Sequence, residues 1–156
     1  MGYLVAGYAE AKPLYKIQLD PTMSLAGYAN IQIDRPLAAN LSAGMMGWHR
    51  AETNGLFAQP QSLTSLGVRL DWFDRGVFES GWHTNAMIKV DLVDAEYARV
   101  RYKVTQSYQR VRSDFYLNLG IGFQAIQAGN GVAQEDSGDY SAWLLPAWEF
   151  SIGRAF

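Results

Sequence analysis

The stretch that decides the fold is VFESGWHTNAMIKVDL, residues 77–92. Its even positions carry Phe78, Ser80, Trp82, Thr84, Ala86, Ile88, Val90 and Leu92, whereas its odd positions include Glu79, His83, Asn85, Lys89 and Asp91. Side chains in a strand alternate between two faces, so this segment reads as a strand with one greasy face and one charged face.

The same period recurs on both sides. In AEYARVRYKVTQSYQRV (95–111), Ala98, Val100, Tyr102, Val104 and Tyr108 alternate with Arg99, Arg101, Lys103, Thr105, Ser107 and Gln109, and only Gln106 interrupts the apolar set. SLGVRLDWF (65–73) sets Leu66, Val68, Leu70 and Trp72 against Arg69 and Asp71. DFYLNLGIGF (114–123) sets Phe115, Leu117, Leu119, Ile121 and Phe123 against Tyr116, Asn118, Gly120 and Gly122. The last segment, LPAWEFSIGRAF (145–156), places Trp148, Phe150, Ile152 and Phe156 opposite Glu149, Ser151 and Gly153. Helical periodicity is scarce throughout.

Strand length separates two architectures. Residues 77–92 and 95–110 each give about sixteen residues of alternation, where a globular strand runs about five or six and a membrane strand needs roughly ten plus extension past the headgroups. Connections alternate too. Short links are expected at 34–36, 74–76 and 111–113 and a brief one at 93–96, with longer loops at 51–61 and 129–142; short turns on one side and long loops on the other is the arrangement of outer-membrane barrels. Counting back from Phe156 gives eight strands, near 143–156, 114–128, 95–110, 77–92, 62–73, 37–50, 23–34 and 14–20. Residues 2–11 (GYLVAGYAEA) offer a ninth, in which case the chain would be the latter part of a larger barrel.

Composition sets the outer bounds. At 156 residues, 49% hydrophobic and 13% aromatic, the chain is long enough for one domain, here 1–156, and too apolar to be disordered. A net charge of -2 gives no basic field for nucleic acid, and the lack of cysteine excludes disulfides and thiolate chemistry. No apolar run is long enough to span a bilayer as a helix, so membrane insertion, if it happens, must be by strands. The opening MGYLVAGYAEAK lacks the basic start and apolar run of a secretory signal, so an outer-membrane location requires a leader removed before Met1 or a larger parent chain.

The faces themselves argue for lipid. Burying Arg99, Arg101, Lys103, Lys89, Glu79 and Asp91 in a dry core costs several kcal/mol for each unpaired charge. A soluble barrel or sandwich would turn that face to water, but few helices or loops remain to cover the apolar face of at least five strands. Lipid covers it most simply, and a closed barrel pairs every backbone group. The expectation is an all-β, antiparallel, up-and-down transmembrane barrel of about eight strands. Its polar lumen face supplies the candidate solute-contacting residues Arg69, Asp71, Glu79, His83, Lys89, Asp91, Arg99, Arg101, Lys103 and Glu149. These either fill a narrow lumen as a salt-bridge network or wall a wet channel.

Catalytic signals are weak. His49 and His83 have Ser80, Ser107, Glu79 and Asp91 on the same or neighbouring strands, but Ser80 lies on the opposite face to His83 and no nucleophile elbow or metal-ligand spacing occurs. Gly120 and Gly122 read as barrel-strand glycines that ease curvature, since no helix follows them as in a phosphate loop. No catalytic residue, metal or cofactor is expected.

Two resemblances add to this. The final strand resembles the C-terminal signal of outer-membrane β-barrel proteins, read by the barrel-assembly machinery; Trp148, Phe150, Ile152 and Phe156 match it, and Arg154 departs from it. Residues 37–72 resemble the C-terminal barrel of cellulose and exopolysaccharide export proteins, with Gly55, Leu56, Phe57, Ala58, Gln59, Pro60 and Gln61 where that family has a Gly-Tyr-Phe-Ser-Pro-Gln type segment. Leu56 and Ala58 depart from its Tyr and Ser, and Gln59 is an extra residue. The first implies a bacterial outer membrane, with its lipid and lipopolysaccharide and the assembly machinery as partners. The second implies polysaccharide export. The functional expectation is a non-enzymatic barrel of a cell-envelope export or surface system, such as an exopolysaccharide secretion pore. The alternatives are a lipid-modifying outer-membrane enzyme, and a structural or adhesion barrel acting through loops 51–61 and 129–142.

Overall fold

A computed structural model describes residues 13–52, 61–94, 96–128 and 143–156. Eight strands form a closed antiparallel barrel in which each pairs with its neighbours in sequence and the first meets the last. They are β1 (Lys16–Leu19), β2 (Ala29–Ala38), β3 (Leu41–Arg50), β4 (Leu63–Phe73), β5 (Gly81–Val93), β6 (Glu96–Arg112), β7 (Phe115–Ala128) and β8 (Trp143–Ala155), with one short helix, α1 (Pro21–Leu25), between β1 and β2. The expected fold class is therefore present as an all-β up-and-down barrel. The candidate ninth strand at 2–11, residues 55–60 of the export-type segment, loop 129–142 and most of loop 51–61 lie outside the described residues, as does the side chain of Ala98.

Alternation sorts the faces as the sequence implies. Ile31, Ile33, Leu66, Val68, Trp72, Trp82, Ile88, Val104, Leu119, Ile121, Phe123 and Trp148 are exposed on the outside, while Gln32, Asp34, Arg69, Asp71, Asn85, Lys89, Thr105, Asn118 and Glu149 are buried inside. In-register pairing of β4, β5 and β6 keeps this sorting intact, as in Asp71↔Asn85 and Asn85↔Thr105, all three inward. The interior is therefore polar and the exterior apolar, the inverse of a water-soluble core.

Three boundaries differ from those expected from sequence. Residues 34–36 do not turn: Asp34 and Arg35 continue β2, and the chain reverses at residues 39–40 after a register shift between Pro36 and Ala38. Proline is accommodated at that irregularity beside the turn, and Asp34 is retained by the partners that it meets inside. Residues 77–80 are not strand. They belong to a turn, 74–80, that folds under the barrel, with the Val77 amide donating to the Ala39 carbonyl (3.1 Å) and Val77 itself buried. Residues 111–112 remain in β6, and the turn falls at Ser113 and Asp114, where Ser113 has φ 57°.

The span 21–28 also departs from the expected strand 23–34. Asp20 caps α1, its carboxylate accepting from the Thr22 and Met23 amides (2.9 and 3.2 Å), Pro21 opens the helix, and Gly27 with φ 84° ends it. An acidic cap followed by proline and then a left-handed glycine is the chemistry of a one-turn helix, not of a strand. As a result β1 is only four residues long.

A filled interior and a basic chamber as the candidate functional site

The interior divides into two regions along the barrel axis. Near the short-turn end, Arg69 is the hub. Its guanidinium forms an ion pair with Asp71, donates to Glu149 (3.0 Å) and Gln32 (2.8 Å), and lies 4.0 Å from Asp34. Asp71 also accepts from Asn85 (3.0 Å), and Glu149 accepts from the Thr105 and Ser107 hydroxyls (2.9 Å each). Lys16 reaches Asp34 (3.6 Å) and donates to Gln109 (3.1 Å), and its ammonium sits over the Phe73 and Tyr116 rings. Gln18 hydrogen-bonds with Asp34, and its carbonyl oxygen accepts from Asn118 (2.5 Å) and Ser151 (2.8 Å).

Below this network the barrel mouth is stoppered. Phe73, Val77 and Tyr116 are buried there, and Gln109 donates to the Val77 and Glu79 carbonyls (2.9 and 3.0 Å), which ties the 74–80 turn to the interior. Close approach favours glycine at several points: a Cβ on Gly44 would stand 1.9 Å from the Asp34 carboxylate and one on Gly120 1.9 Å from Ser107 Oγ, while at Gly122 and Gly153 it would meet backbone, 1.9 Å from the Val104 carbonyl oxygen and 2.2 Å from that of Ile17.

Toward the long-loop end the charge balance changes. Asp91, fully buried, is shared by Lys89 (3.6 Å), Arg99 (2.7 Å) and Arg101 (2.5 Å), and Ser65 also donates to it (2.7 Å). Lys89 Nζ lies 3.5 Å from the centroid of the Trp48 ring, and Lys103 donates to the Trp148 carbonyl oxygen (3.1 Å). Trp48, Lys89, Arg101, Lys103 and Trp148 border a cavity of about 170 Å³, which Asp20 and Met23 also line. Lys89, Arg99, Arg101 and Lys103 face Asp91 and Asp20 here, and Glu149 also faces Lys103, which leaves one positive charge in excess among the described residues. The lower network runs the other way, with Lys16 and Arg69 against Asp34, Asp71 and Glu149.

The residues singled out from sequence fall as follows. Arg69, Asp71, His83, Lys89, Asp91 and Glu149 are buried in the interior, and Arg99, Arg101 and Lys103 are half-buried in it near the long-loop end. Glu79 is a correction: it is exposed in the 74–80 turn, outside the lumen, because the alternation that placed it inward stops at Gly81. Phe78 and Ser80 leave the outer strand face for the same reason. Trp148, Ile152 and Phe156 are exposed on the outside and Phe150 is half-buried. Phe156 also helps close the barrel, its amide donating to the Tyr15 carbonyl (3.0 Å) and its ring stacking on Tyr15.

Among the described residues no nucleophile meets a base. His83 stacks on Phe73 with Nε2 at 3.7 Å from Asp71, but neither ring nitrogen has a hydrogen-bond partner within the described residues. Ser107 is engaged with Glu149, and Ser80 with the Val111 amide (2.8 Å). His49 is exposed, bonded to Thr64 (3.0 Å). Among the described residues no group of three or more His, Asp or Glu side chains could hold a metal ion.

Sequence reasoning missed Lys16, Gln18, Gln32 and Asp34, which complete the lower network, and Trp48, which backs Lys89. The alternation of KIQL (16–19) and NIQID (30–34) carried the signal for the first four. On the outside, small residues at Ala43 and Ala86 among Leu37, Met45, Leu70 and Ile88 leave a shallow apolar groove. Comparison with protein-family models, curated proteins and solved structures finds no match for this chain.

Proposed function

We propose that this chain is an integral β-barrel of a bacterial outer membrane that serves a cell-envelope surface or export system from its long-loop end, with a filled rather than conducting lumen. The inside-out distribution carries this reading. Large apolar side chains such as Ile121 (76% exposed), Met45 (71%) and Trp72 (64%) form the outer wall, while ionised groups occupy the centre. Water around such a wall would leave an apolar area far beyond that of an ordinary monomer surface. Hydrocarbon removes that penalty, and a closed ladder is the form in which strands enter it.

The lower network favours a plug over a channel. Arg69, Asp71, Glu149, Lys16 and Asp34 satisfy one another across the lumen, and Phe73, Val77 and Tyr116 sit beneath them. An eight-stranded barrel has an interior that side chains can fill, so passage of a polysaccharide would require this network to be dismantled. Lipid and lipopolysaccharide are the partners of the outer wall, and the outward set Trp148 and Ile152 on β8, with Phe156 directly after it, is the segment offered to the barrel-assembly machinery.

Two measurements test the reading. The purified chain should need detergent, co-sediment with outer-membrane fractions and show heat-modifiable gel migration; a monodisperse protein in plain buffer overturns the membrane assignment. In planar bilayers the wild type should give no steady conductance. An open-channel current that changes on Lys103→Glu overturns the plug and restores the pore.

A further inference from the structure

Among the described residues the ladder of the barrel wall has a gap on the long-loop side of β1. β1 meets β8 only at residues 152–155 and β2 only at residues 32–34. Beyond these, among the described residues, 143–151 of β8 find their strand partner in β7 alone, and 29–31 of β2 in β3 alone. α1 stands where β1 would have continued and touches both β2 and β8. A one-turn helix cannot supply the ladder bonds that a strand edge needs, and in hydrocarbon every such group requires a partner. Lys103 supplies one of them from the inside, at the Trp148 carbonyl oxygen.

Behind this gap lies the basic chamber. Its cavity of about 170 Å³ touches Met23 of α1 and Trp148 of β8 on the gap side and Lys89, Arg101 and Lys103 on the other. The Lys89 side chain is 2% exposed, yet shares its only carboxylate among the described residues, Asp91, with two arginines. Buried cations in excess of carboxylates are costly unless an anion joins them.

We propose that the chamber binds the anionic phosphate headgroup of a lipid that enters sideways between α1 and β8, its tails remaining against the outer wall beside Trp148. Arg101 offers a planar fork suited to two phosphate oxygens, and Lys103 and Lys89 add point charges. Sideways entry suits an amphiphile because the gap joins a charged interior to an apolar exterior in one short step. The inference rests on the membrane assignment made above.

The test uses the full chain in nanodiscs of phosphatidylcholine with and without phosphatidylglycerol, reading bound lipid by native mass spectrometry. Wild type should retain phosphatidylglycerol over phosphatidylcholine. Arg101→Gln with Lys103→Gln should lower that retention about tenfold or more, since two charge-assisted contacts are lost. Met23→Trp, which narrows the entry without removing a charge, should lower it as well, and Arg110→Gln, on the outer face at the other end, should leave it unchanged. Heat-modifiable migration checks that each variant is folded. Displacement of the lipid by equimolar inorganic phosphate would make the ligand a free anion and overturn sideways entry. Equal retention of both lipids, or retention unaffected by the double substitution, overturns the site. Failure to enter nanodiscs at all would instead overturn the membrane assignment.

Discussion

The two halves of the interior treat charge in opposite ways. At the short-turn end each ionised group has a partner of opposite sign, and the mouth beneath is stoppered by Phe73, Val77 and Tyr116. At the long-loop end three cations crowd one carboxylate and Arg99 is 38% exposed at its side chain. The first region is built to stay as it is. The second is left unfinished on its own, which is what a ligand-accepting region requires, because a site whose charges are already neutralised offers nothing to an incoming anion.

Substitutions should break this contrast in order of size. Arg69→Met strands Asp71, Glu149 and Asp34 in a closed interior, and urea unfolding in lipid vesicles should show a loss of about 3–5 kcal/mol. Ile121→Arg, at the middle of β7 on the outer wall, should cost about 2–4 kcal/mol in the same assay if hydrocarbon surrounds it; a cost near zero would mean that water does. Gly44→Ala pushes a methyl group into the Asp34 carboxylate and should cost about 1–3 kcal/mol through local repacking. Arg99→Met, by contrast, removes one of three cations from Asp91 at a partly exposed position and should change stability by about 1 kcal/mol or less. A large Arg99 effect, or a small Arg69 effect, would erase the distinction between the halves.

Much of the wall was legible in the sequence because its physics is local. From β4 to β8 a period of two assigns each side chain to a face, and a residue such as Lys89 or Leu119 needs no knowledge of its partner to be placed. The turns were harder. DRP at 34–36 has the composition of a turn, yet Asp34 is held in the strand by Lys16 and Gln18, which lie across a pairing that forms only when the sheet curls. The run of alternation through 77–80 concealed the stopper, since Val77 and Glu79 have strand-like spacing but follow Gly76. Least legible were the partners in the network: Arg69 and Glu149 are eighty residues apart, and only barrel closure brings them together. The basic run Arg99, Arg101 and Lys103 was visible in the sequence, but the gap beside it was not, because it depends on where β1 stops.

That early stop also bears on how the molecule comes together. Seven of the pairings join neighbours along the chain and can zip as successive hairpins, whereas the join between β1 and β8 links the two extremes through four residue pairs. Loop-closure entropy makes this join the last to form and the cheapest to open, so its amides should exchange with deuterium ahead of those of β5 and β6. Gln18, bonded at once to Asn118 on β7 and Ser151 on β8, is then the latch of the finished cylinder.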